Sequence, residues 1–117
     1  MGQDRWHIVE EDGALTMARR LPARFDLAVE AVIEGGAGLR RGRIARQVLQ
    51  DVWRALQNLR GFSPAARVVA DGADLRITVG GQVAGVFAKA NSEAIIADLI
   101  NDPRRRARWM RHAGKAA

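Results

Sequence analysis

A chain of 117 residues with 19 basic and 13 acidic side chains, a formal charge of +6 and a hydrophobic fraction of 48% is sized for one domain with a real core, which excludes a wholly disordered tail. The absence of cysteine removes disulfides, thiolate nucleophiles and thiolate zinc sites together. The longest apolar run, Ala94–Ala97, falls far short of the ~20 residues that cross a bilayer, and no apolar stretch of signal-peptide kind follows Met1–Asp4, so a cytoplasmic domain without a membrane span is expected.

Trp6–Val9 and Ala14–Arg19 flank an acidic turn ending in Asp12-Gly13, the pattern of a β-hairpin whose glycine accepts positive φ. In the next segment Phe25, Leu27, Val29, Ala31 and Ile33 alternate with Asp26 and Glu30, which predicts a strand. A helix would also tolerate this stretch, with Asp26 and Glu30 at i and i+4. Gly35-Gly36-Ala37-Gly38 is a loop, followed by a long amphipathic helix over Leu39–Leu59. Ile44, Val48, Val52, Leu56 and Leu59 form its apolar stripe, widened by Leu49, Trp53 and Ala55, and Gly61 is placed to cap it.

A three-stranded meander follows over 66–70, 75–79 and 83–87, with turns at Asp71-Gly72 and Gly80-Gly81. Asn91 then caps a helix running to about Asn101, with Glu93 in its first turn. Asp102-Pro103 is an N-cap followed by proline at the first helical position, and opens a last helix to about His112. Val9–Leu15 weakly echoes Val69–Leu75, a likeness that the frequency of Asp-Gly turns suffices to explain. The expected fold is α+β: a mainly antiparallel sheet of about six strands, one long helix on a face, and two shorter C-terminal helices. Residues 1–113 form the domain and 114–117 a frayed tail. Trp53, Phe62, Leu75, Ile77, Ile95, Leu99 and Trp109 are expected at or near the core.

Seventeen of the 19 basic residues are arginine, which with many Ala and Gly reads as the codon supply of a GC-rich, bacterial-like gene. Their distribution carries more than their number. Residues 35–65 hold six arginines against one acid, and residues 103–117 hold six basic residues and no acid, whereas the other two blocks are net negative. Arg40, Arg41 and Arg43 follow a glycine-rich loop at a helix start, where unpaired backbone N–H groups favour an anion, although no nucleotide-binding fingerprint is present. Arg104, Arg105, Arg106 and Arg108 crowd the last helix beside Trp109. These seven arginines are the candidate anion or nucleic-acid contacts.

No catalytic assembly can be written from the sequence. His7 and His112 have no sequence-near partner. Glu10-Glu11-Asp12 lacks the further ligands of a metal site, and Ser63 and Ser92 sit in a turn and a helix start rather than a nucleophile elbow. No enzyme, metal or cofactor is therefore expected. The sequence supports a small non-catalytic domain binding nucleic acid or another polyanion. The alternative is an accessory subunit that docks on an acidic protein or forms a homodimer through an open sheet edge. Convergence of the two basic blocks on one face would favour the polyanion; separation would favour the adaptor.

Overall fold

A computed structural model describes residues 6–114, so the expectations for Met1–Asp4 and for 115–117 lie outside the described residues. The elements in chain order are β1 (His7–Glu11), β2 (Ala14–Ala18), β3 (Leu27–Ile33), α1 (Arg41–Ala55), β4 (Phe62–Asp71), β5 (Asp74–Val83), α2 (Lys89–Ile100) and α3 (Pro103–Ala113), with a 3-10 turn at Gly36–Gly38. The class is α+β. The strands form one antiparallel sheet in the order β1-β2-β4-β5-β3.

Two tight hairpins build most of it. Asp12 and Gly13 both adopt positive φ (50° and 80°), as the type I′ turn between β1 and β2 requires, and Gly72 (63°) opens the two-residue turn between β4 and β5. The sequence echo falls on two two-residue turns at the same end of the sheet that differ in dihedrals, with both central residues at positive φ in the first and Gly72 alone in the second. In β3 the alternation holds: Leu27 and Ile33 are buried, while Ala28, Glu30 and Val32 are exposed. The neighbouring strands send Leu15, Met17, Val68, Leu75, Ile77 and Val79 to the same side, where Ile44, Val48, Leu49 and Val52 of α1 meet them in one core. Apolar burial of this kind is worth about 25 cal/mol per Å² removed from water.

The sheet has five strands rather than six. Gly80-Gly81 does not turn the chain; both lie inside β5. A Cβ on Gly80 would stand 1.9 Å from the Leu27 carbonyl oxygen, and one on Gly81 2.2 Å from that of Ser63. These glycines mark a close approach of three backbones, a use of Gly in strands that sequence alone does not separate from a turn. Residues 84–88 then form an irregular link instead of a sixth strand.

The helices also differ from expectation at their ends. α1 is shorter than Leu39–Leu59, stopping at Ala55 with buried Leu56 as its C-cap. Gly61 (φ 71°) serves the entry to β4, where a Cβ would press within 2.9 Å of Ala84, and its carbonyl accepts from Ala84 N–H. α2 begins at Lys89, so Asn91 lies within the first turn and is not the cap. Asp102 caps α3 as expected, its Oδ1 accepting from the Arg104 amide at 3.1 Å.

Two contacts seal the outer edge of β3. Glu93 of α2 accepts the Ala28 amide at 3.0 Å, and Arg106 of α3 donates to the Val32 carbonyl at 2.8 Å. The opposite edge, β1, is exposed along most of its five residues. No helix among the described residues is long and apolar enough to cross a membrane.

Candidate anion interface

The loop before α1 is built as a connector. Gly35 takes a left-handed conformation (φ 70°), its amide donates to Asp74 at 2.8 Å, and buried Gly36 packs against Ile33 and Leu75. Arg41, at the first position of α1, turns back to donate to the Gly13 carbonyl and pairs with Glu10 at 3.6 Å. An internal partner thus holds the guanidinium that a phosphate would use. Arg40 donates its backbone N–H to the Gly114 carbonyl at 3.2 Å, which ties the start of α1 to the end of α3.

The second tie lies near the other end of the same pair of helices. Asp51 of α1, 6% exposed, accepts the Trp109 indole N–H at 2.8 Å and a hydrogen bond from Arg108, with Arg105 at 3.5 Å. Asp51 is the lone acid of the first basic block, and it sits three residues after Val48 and seven after Ile44, on the edge of the apolar stripe. That spacing was the available signal for a buried carboxylate. The partners that make burial favourable lie 57 and 58 residues away, beyond any local pattern.

With these two ties, α1 and α3 run antiparallel, and each expected arginine can be placed. Arg106 is a structural clamp: besides Val32 it donates to the Ile100 carbonyl at 2.7 Å and to the Asn101 side chain at 3.2 Å. Arg105 divides its charge between Asp51 and Asp102, and Arg108 is held by Asp51. Arg43 and Arg104 are exposed, and their side chains have no hydrogen-bond or ion-pair partner among the described residues. The same holds for Arg46, Arg54 and Arg111, which the sequence reading did not single out.

α1 carries four arginines and α3 five; Asp51 is the only carboxylate within either helix. Because Asp51 is buried, neither helix shows a carboxylate of its own to solvent; the acids beside the pair are Glu10 at the start of α1, Asp102 as the N-cap of α3, and Asp98 of α2 near Arg105. A further group of acids, Glu11, Asp12, Asp71 and Asp74, lies with Glu10 at the turn end of the sheet, where Arg76 pairs with Asp71 at 2.7 Å. Among the described residues, no group of three or more His, Asp or Glu side chains is disposed to hold a metal ion. His7 and His112 are both exposed.

No family model, curated protein or solved structure matches this chain. The geometry alone therefore carries the functional argument.

Trp53 is the clearest departure from the expected core. It is 40% exposed, whereas Trp109 is 1% exposed. An apolar stripe that includes Trp53 is wider than the face of α1 that the core covers, Ile44, Val48, Leu49 and Val52. Arg19, at the end of β2, stacks its guanidinium 4.9 Å from the Trp6 ring centroid and 5.7 Å from that of Trp53. Phe62, Leu75, Ile77, Leu99 and Trp109 are buried as expected, and Ile95 is partly buried.

Proposed function

We propose that this chain is a non-catalytic binding domain that takes nucleic acid or another polyanion on the solvent side of α1 and α3. The observation that carries the proposal is the charge of the helix pair itself: nine arginines on α1 and α3, with their single carboxylate, Asp51, withdrawn into the interior. Guanidinium groups offer paired donors that match phosphate oxygens, and each phosphate neutralised releases counterions from the polymer.

Arg43, Arg46 and Arg54 of α1 with Arg104 and Arg111 of α3 meet the backbone directly. Arg105 and Arg108, whose side chains are 40% exposed, add a share already partly neutralised by Asp51. Arg41 and Arg106 hold the fold. Nothing in this arrangement reads base edges in a groove, so affinity should depend on salt and charge far more than on duplex sequence.

Fluorescence anisotropy of labelled duplex DNA and single-stranded RNA, at low and near-physiological salt, tests the proposal. Binding in the micromolar range should weaken steeply with salt. Reversing Arg43 and Arg54 to Glu should flatten the slope of log K against log salt by about one for each lost phosphate contact. No binding at low salt, or an unchanged slope in the reversed variant, would overturn it.

The adaptor reading keeps one observation of its own, the exposed β1 edge, which could pair with a strand of a second copy. Concentration-dependent dimerisation abolished by a proline at Ile8, whose amide points away from β2 in this register, would favour it.

A further inference from the structure

Beside Trp53, at the C-terminal end of α1, lies a cleft of about 370 Å³, within the ~300–1,000 Å³ typical of ligand sites. Its wall contains Arg20 and Arg60, both exposed, with Gln57, Gln82 and Ser63 between them, and no carboxylate. The indole therefore stands among cations and neutral hydrogen-bonding groups. Arg19 lies over one face of this ring and over Trp6, and it is not part of the cleft wall, so the face left for a ligand is the opposite one.

An outward ridge leads to this cleft. Arg46, Gln50 and Trp53 recur at i, i+4 and i+7 of α1 and are exposed, with Arg43 and Arg54 on the adjoining turns and exposed Gln57 just past the C-cap. A chain following the ridge meets arginine first and a flat aromatic face next, with amide edges beyond.

We infer that the Trp53 cleft is a base-stacking site for single-stranded nucleic acid. Stacking suits any base, because each presents a π face, and it requires the base to be out of a duplex. Gln57, Gln82 and Ser63 supply both donors and acceptors for base edges, while Arg20 and Arg60 are placed for the flanking phosphates. An acidic peptide would use the same arginines and amides, but it offers the indole a flat face only where it carries an aromatic residue, whereas every nucleotide carries one. The inference rests on the polyanion proposal for the attraction of the strand's backbone, and adds to it the preference for unpaired bases.

The test compares a labelled oligothymidylate of about twelve nucleotides with an abasic strand of the same length and the same phosphates, by anisotropy at low salt. Wild-type protein should bind the base-bearing strand about ten-fold tighter or more, the scale of one or two stacked bases. Trp53→Ala should bring the two affinities together, and Trp53→Phe should restore most of the difference. Equal binding of both strands by wild-type protein would overturn the stacking site and leave the polyanion proposal standing. A preference that survives in Trp53→Ala would do the same, and failure to bind either strand would overturn both. The comparison of the two strands on wild-type protein decides the matter even if Trp53→Ala folds poorly.

Discussion

Replacing Asp51 by alanine should destabilise the protein by about 2–4 kcal/mol, and the figure can be assembled from its partners. The Trp109 indole N–H, in a residue only 1% exposed, loses its acceptor and has no water to replace it, a cost of ~1–3 kcal/mol. The hydrogen bond from Arg108 is charge-assisted, but the Arg108 and Arg105 side chains are 40% exposed and recover hydration, so that loss is nearer ~1 kcal/mol. Asp51→Asn keeps a carbonyl for the indole and removes the charge, and should cost about half as much. Urea unfolding followed by far-ultraviolet circular dichroism measures both. At roughly 4 °C per kcal/mol for a domain of this size, the alanine variant should melt ~8–16 °C lower. A loss under ~1 kcal/mol for alanine would refute the reasoning. Equal losses for Asn and Ala would show that the charge, not the stranded indole, sets the cost. Asp51→Asn also frees Arg105 and Arg108, so under the polyanion proposal it should tighten binding while lowering stability.

Gly80→Ala should lower stability by ~3 kcal/mol or more, because its Cβ would fall 1.9 Å from a backbone oxygen of β3, and neither strand can yield without opening the ladder. Wild-type urea stability in that variant would show that β3 and β5 can separate freely there. Glu93→Ala and Arg106→Ala should each speed amide exchange in β3, at Ala28 for the first and toward Val32 for the second, by about ten-fold, with β2 and β4 unchanged. Uniform acceleration across the sheet would mean that these side chains act on global stability and not on the edge.

Much of the fold was legible because its signals are local. A positive φ at Asp12-Gly13 and at Gly72 is required by the turns themselves, so those hairpins could be read from a few residues. The alternation of β3, the stripe Ile44-Val48-Val52 and the Asp102-Pro103 start depend on backbone periodicity or on a cap two residues away. Glycine at 80 and 81 defeated the same logic. A residue without Cβ permits both a turn and a close backbone approach, and only the position of β3 decides between them.

For the candidate interface, the sequence located the arginines without showing how they are used. Charge blocks are additive along a chain, so the excess of positive charge in the segments of α1 and α3 was fixed by composition. Whether a given guanidinium meets solvent depends on contacts such as Arg106 with Val32, 74 residues apart, and Arg108 with Asp51. Tertiary packing therefore turned Arg41 and Arg106 into structural ties, set α1 against α3, and left Arg43, Arg46, Arg54, Arg104 and Arg111 exposed. It also left Trp53 outside, since only the face of α1 that carries Ile44, Val48, Leu49 and Val52 is covered. The periods of helix and strand are properties of the backbone, and the sequence determined them unaided. The exposure of any one side chain is a property of what packs against it, and that was decided only when segments distant in the chain came together.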